Sequence, residues 1–176
     1  MVKKIILIIL LLIACVLGYA AIQPSEYEIE RSIRITASQE AIFVNVNDLK
    51  KFNEWNPWAK LDPQAKMTFD GPTGGIGASY KWEGNIKVGA GRMSIQKSEP
   101  NNLVQMKLEM IKPFEDVSFV DFILSPEGRE TIVTWKMKGR PNYIYKVLCL
   151  FINRDKLVGK EIEKGLTNLK VMSEKK

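Results

Sequence analysis

The stretch VGKEIEKGLTNLKVM, residues 158–172, decides the fold. Val158, Ile162, Leu166, Leu169 and Met172 fall on one helical stripe, with Lys156, Lys160, Glu163, Lys164 and Lys170 opposite. Gly165 sits beside that stripe and costs about 1 kcal/mol relative to alanine in a helix interior. Its use there is close approach to a neighbouring element, or room for a ligand. Working outward, helix extends over about Asn142 to Met172, with Pro141 marking its start and Asn153-Arg154-Asp155 dividing it into two pieces. Everything from about Tyr27 to Lys138 reads mostly as strand.

The strands alternate with period two. Tyr27 to Ile35 puts Ile29, Ile33 and Ile35 on one face. Ser38 caps a short helix with Ile42, Phe43 and Val46 as its buried stripe, and Leu49 to Trp55 forms a second. Asn56-Pro57-Trp58 breaks it. The glycine-rich loop 71–77 lacks the Gly-Lys-Ser/Thr ending of a phosphate cradle and reads as a hairpin loop. Five strands of a meander follow: Ala78 to Glu83, Val88 to Gln96, Leu103 to Ile111, Val117 to Leu124 and Thr131 to Met137. Turn residues separate them, as expected of one antiparallel sheet. Gly84, Gly89 and Gly91 mark bends that let the sheet curl around a helix. The expected class is α+β, a curved antiparallel sheet wrapped around a long C-terminal helix. A helix laid over such a sheet encloses an apolar cavity.

Residues 26–176 have the size of one domain that can bury a core without staples. Cys15 lies in the N-terminal apolar run and Cys149 in the helical region, so no disulfide is expected. The chain has no histidine. That removes Ser-His-Asp and Cys-His catalysis and the commonest zinc ligand, so neither metal nor cofactor is expected. The net charge of +6 is uneven: residues 136–176 hold eleven basic and four acidic residues. A solvated helix face is the plain reading. Nucleic acid is disfavoured because no aromatic-basic recognition motif accompanies the charge.

Residues 1–25 read as a membrane anchor. Ile5 to Ile22 carries no charge and as a helix spans about 27 Å, enough for a bilayer core. Lys3 and Lys4 precede it and Glu26, Glu28 and Glu30 follow. The positive-inside rule then puts the N-terminus in the cytoplasm and the domain on the outer side. Two alternatives stay open: a signal peptide cleaved at Gly18-Tyr19-Ala20-Ala21, and a lipobox at Leu12-Ile13-Ala14-Cys15.

The order strand, two short helices, about six strands and a long helix resembles the helix-grip fold of the START-like or SRPBCC superfamily. The nearest likeness is to its bacterial polyketide cyclase/dehydrase-like branch. Local matches run from Ile33-Arg34-Ile35 with Ala41-Ile42-Phe43 through Trp55-Asn56-Pro57-Trp58, Tyr80-Lys81-Trp82-Glu83-Gly84 and Gly89-Ala90-Gly91-Arg92-Met93. They end with Thr131-Ile132-Val133-Thr134-Trp135 and the segment Gly159 to Lys170. The resemblance implies a deep hydrophobic cavity between sheet and long helix. It implies no fixed activity: members bind lipids, sterols or polyketides, and a minority catalyse.

Candidate ligand-binding residues are the tryptophans Trp55, Trp58, Trp82 and Trp135, which suit flat or greasy ligands, with Phe122. Met93, Met106 and Met110 add adaptable lining. For each residue, core packing is the competing reading. Glu83, Arg92 and Asp121 are the charged strand residues to weigh as catalysts. All three are out of phase with the inward apolar residues, so they are expected to face solvent, and no catalytic pair remains. The first functional reading is a membrane-tethered, non-enzymatic binding domain for a hydrophobic small molecule or lipid. The second is a cyclase, aromatase or hydrolase on a hydrophobic substrate. The third is a protein or membrane interaction module with a closed cavity.

Overall fold

The computed structural model describes residues 2–175. An N-terminal helix α1 (Val2–Ile22) precedes β1 (Tyr27–Ile35), α2 (Gln39–Asn47) and α3 (Leu49–Trp55). Strands β2 (Lys66–Asp70), β3 (Ser79–Glu83), β4 (Ala90–Glu99), β5 (Leu103–Lys112), β6 (Asp116–Glu127) and β7 (Glu130–Gly139) follow. Helices α4 (Tyr143–Cys149) and α5 (Arg154–Ser173) complete the chain. The strands form one seven-stranded antiparallel sheet in the order β1-β7-β6-β5-β4-β3-β2. Each hairpin is local, and β1 closes on β7 across the whole domain.

Local chemistry sets the element ends. Ser38 accepts from the Ala41 amide, Asp48 from Lys50 and Lys51, and Asn153 from Lys156, each satisfying orphan amides of a first turn. Asn153 therefore starts a new helix, which is why the C-terminal helix comes in two pieces. Two register shifts in β4, at Ala90/Gly91 and Ile95/Lys97, give the sheet its bend. Gly89 has φ +63°, and a side chain there would put its first carbon 2.1 Å from the Lys112 carbonyl oxygen. The bend at the β3–β4 end thus needs glycine.

Helix α5 lies over the inner face, burying Ile162, Leu166 and Leu169. It is fixed to the edge strand by Arg31, whose guanidinium donates to Asp155 at 2.9 Å and to Glu163 at 2.7 Å. Gly159 lies between those two carboxylates on the helix, leaving the guanidinium space to pass over the backbone. The core under α2, α3 and the end of α5 is aromatic. Trp55 and Phe122 centroids are 5.7 Å apart and Phe122 and Trp135 are 4.7 Å apart.

The structure adds one strand, β2, which sequence patterning did not place. It is a five-residue edge strand that is mostly exposed, so it carries little alternation. Asp121 is a second correction. It points away from the inner face, as expected, but it is only 7% exposed. Gln105 Nε2 donates to it at 2.7 Å and Lys138 Nζ at 3.2 Å, and these long side chains cover it.

Candidate ligand cavity

An internal cavity of about 390 Å³ lies between the inner face of the sheet, α3 and the start of α5. That volume falls within the usual range for small-molecule sites. It occupies the half of the sheet nearest the β3–β4 and β5–β6 turns. Register explains its lining: Trp82 pairs with Gly91, Gly91 with Met110, and Met110 with Asp116. One row on, Tyr80 pairs with Met93 and Met93 with Leu108. Trp135 of β7, Trp58 and Val158 of α5 complete the lining.

Of the residues proposed from sequence, Trp58, Trp82, Met93, Met110 and Trp135 line this cavity together. Trp55, Met106 and Phe122 do not. Met106 of β5 and Phe122 of β6 face inward in the far half of the sheet, Trp55 ends α3 and packs with Phe52 against Phe122, and all three are almost fully buried. Alternation along the strands turns Met106 and Phe122 inward, but the filling of that half by α3, which carries Trp55, was not visible in it. Trp82 is held across the bend: its indole Nε1 donates to the Val88 carbonyl at 3.0 Å, and its ring lies over Gly91.

The walls are apolar with polar groups at two places. Deep in the cavity, the Tyr80 hydroxyl sits against the side chains of Asn53 and Asn56, and burial holds its ionisation above the ordinary tyrosine range. Asn53 Oδ1 and Trp135 Nε1 are buried with no protein partner. At the mouth, the Arg154 guanidinium stacks between the rings of Tyr27, at 3.9 Å, and Tyr145, at 4.2 Å. Tyr27 and Ser118 share a hydrogen bond of 2.8 Å, and Ser118 Oγ donates to Asp116 at 3.2 Å. Asp116 Oδ1 and Arg154 Nε are buried without partners. Burial pushes the Asp116 carboxyl above its ordinary value, against the opposing pull of Ser118 and Arg154.

Asp116, Tyr27, Tyr145 and Arg154 are lining residues that sequence reasoning missed. A signal for two of them was present. Asp116 is in phase with Val120 and Phe122, and Tyr27 with Ile29, so the alternation that turns Asp121 outward turns both of these inward. Glu83 faces solvent as expected, in contact with Lys112 at 3.1 Å, whereas Arg92 is on the outer face but half-buried, donating to Ser79 at 3.2 Å with its Nε buried and unpartnered.

The arrangement of elements matches solved structures across most of the chain. Ginseng major latex-like protein 151 from Panax ginseng has a TM-score of 0.59 at 10% identity, covering 86% of this chain and all of that one. CalU16 from Micromonospora echinospora has 0.56 at 17%, covering 84% of this chain and 65% of that one. The Aha1 dimer from Colwellia psychrerythraea has 0.55 at 17%, covering 83% and 98%. This chain has the helix-grip fold. At these identities the likeness shows the fold alone. No family model matches the chain, and no curated protein matches it. Among the described residues, no cluster of acidic and cysteine side chains is arranged to hold a metal ion.

Proposed function

We propose that this protein is a membrane-tethered binding domain for a hydrophobic small molecule or lipid, in the polyketide cyclase/dehydrase-like branch of the SRPBCC superfamily. The observation that carries the reading is the cavity walled by Trp58, Trp82, Trp135, Met93 and Met110. Burial of apolar ligand surface is worth about 25 cal/mol per Å². The unpartnered polar atoms of Asn53 and Trp135 favour a ligand that also carries a polar group, because an unmet buried donor or acceptor costs about 1–3 kcal/mol.

The tether is α1. It is uncharged from Ile5 to Ile22, and of its described residues only Ala20 is buried, so it is not a core helix of this domain. Lys3 and Lys4 before α1 and Glu26, Glu28 and Glu30 after it support an orientation with the domain on the outer side of the membrane. A second reading has one observation behind it. Asp116, with a raised ionisation and a free oxygen on the cavity wall, has the properties of a general acid or base for a cyclase- or hydrolase-type reaction.

Native mass spectrometry of the full chain released from mild detergent, followed by extraction of any bound molecule, tests the binding reading. A stoichiometric apolar adduct is expected. A bare mass, with no uptake from a panel of lipids and sterols, would overturn it.

A further inference from the structure

The cavity mouth, the tether and a set of exposed apolar side chains occupy one end of the domain. Only residues 23–26 separate α1 from Tyr27, which lines the cavity. Helix α4 packs along the last turns of α1: the Tyr143 hydroxyl donates to the Leu17 carbonyl at 2.7 Å, and Lys146 donates to the Gln23 carbonyl at 3.1 Å. The β5–β6 turn joins the same end, since Asn142 donates to the Glu115 carbonyl at 3.0 Å. The β3–β4 turn joins it through Gly89, which lies against Lys112 and Pro113.

From these three segments apolar side chains project outward. Ile86 is 93% exposed on the β3–β4 turn, Phe114 is 42% exposed on the β5–β6 turn, and Phe151 is 75% exposed after α4. Ile144, Leu148 and Ile152 are exposed beside it. Ile86 and Phe114 also form the cavity rim. A second groove, beneath α4, shares Tyr27 and Arg154 with the cavity, so the stacked Arg154 is the partition between the two.

We propose that this end of the domain seats in the interfacial layer of a lipid bilayer, so that the cavity opens toward the membrane rather than toward water. The proposal rests on the tether reading. Continuity with the tether identifies the occupant. If Ile5 to Ile22 fills the hydrocarbon core, Leu17 lies about 7 Å below its outer boundary, at 1.5 Å per residue. A tyrosine bonded to that carbonyl carries the start of α4 to the depth where amphipathic helices settle. Apolar side chains on three separate segments then meet lipid together, and an apolar ligand passes between bilayer and cavity past the Arg154 partition without crossing water.

The test uses the full chain, reconstituted at one copy per nanodisc in phosphatidylcholine and phosphatidylglycerol. An environment-sensitive dye is placed on single cysteines in an otherwise cysteine-free background, at Ile86→Cys, Phe151→Cys, native Cys15, and Arg129→Cys in the exposed hairpin at the opposite end. Lipids carrying nitroxides near the head group and along the chain serve as quenchers. Positions 86 and 151 are expected to be quenched several-fold more strongly than 129. If Cys15 is quenched and 86 and 151 behave like 129, docking is wrong while the tether stands. If Cys15 escapes quenching, the tether reading falls and docking with it. A shift of the dye emission at 86 and 151 that arises only at several copies per disc, without nitroxide quenching, would identify a second copy as the occupant and overturn the proposal.

Discussion

Gly165 of α5 lies directly beneath Trp135 of β7: a first side-chain carbon at 165 would come 2.7 Å from the indole Cζ3 and 3.0 Å from Pro57 Cδ. The helix can approach the sheet here because that carbon is missing, and the approach holds the cavity's tryptophan wall in place. Alanine would gain about 1 kcal/mol of helix propensity. It would also force a rigid ring and a proline apart, and overpacking costs about 1–3 kcal/mol. Gly165→Ala is therefore expected to lose stability despite the better helix former, measured as a lower urea midpoint. It should also weaken ligand uptake, since Trp135 lines the cavity and its other sides are packed by Trp55, Trp58 and Phe122.

Gly89 makes a sharper case at the cavity mouth. Its φ of +63° already disfavours any side chain, and the Lys112 carbonyl stands 2.1 Å from where one would start. A non-glycine residue held in that backbone region costs about 1–3 kcal/mol before any clash. Gly89→Ala is expected to lose at least that much in chemical denaturation. Gly128, at φ +63° but with open space around it, is the control: Gly128→Ala is expected to show the backbone cost alone.

Asp116 gives a pH dependence whose sign is fixed by burial. Its folded carboxyl ionises above the ordinary 3.8, so between that value and the folded one the native state holds more protons than the unfolded chain. Stability contributed by this group is present below the ordinary value and falls as pH rises through the window. Asp116→Asn removes the ionisation. Its thermal midpoint, relative to the parent protein, is expected to be higher near pH 7 than near pH 3.5. A difference that does not vary with pH would show that the carboxyl is not destabilised by its site.

Much of this architecture could be read from residues, and the limits have physical causes. The period-two runs and the turn residues between them located β1 and β3 to β7, because half-buried strands carry their faces in their sequence. Strand β2 escaped because Lys66 to Asp70 is short, lies at the edge and buries little. The cavity lining was legible as far as side-chain phase reaches. Phase separates Trp82 and Met93 from Glu83 and Arg92, but not Met110 from Met106, since both face inward and only the position of α3 decides which meets open space. Arg154 was beyond phase altogether. Its place between Tyr27 and Tyr145 depends on how α5 starts relative to β1 and α4, residues far apart in the chain.

The clearest separation of binding from folding compares Trp58 with Trp55. The two indoles are three residues apart, on either side of the Asn56-Pro57 break, and they do different work. Trp55 is 1% exposed, stacks edge-on with Phe52 and Trp135, and donates from Nε1 to the Asn45 carbonyl at 2.9 Å. Truncating such a ring costs about 3–5 kcal/mol. Trp58 is half-buried and forms the cavity wall. Because its ring faces an open space of about 390 Å³ as well as Trp135, its removal leaves fewer packed neighbours stranded. Trp55→Ala is expected to lower the denaturation midpoint severely. Trp58→Ala should cost less than half as much stability while weakening uptake of an apolar probe about tenfold, which corresponds to about 1.4 kcal/mol. Calorimetry of both variants, with titration of a fluorescent fatty acid or sterol, distinguishes the two roles. Equal losses of stability in the pair would make Trp58 a core residue and remove the aromatic wall from the binding argument.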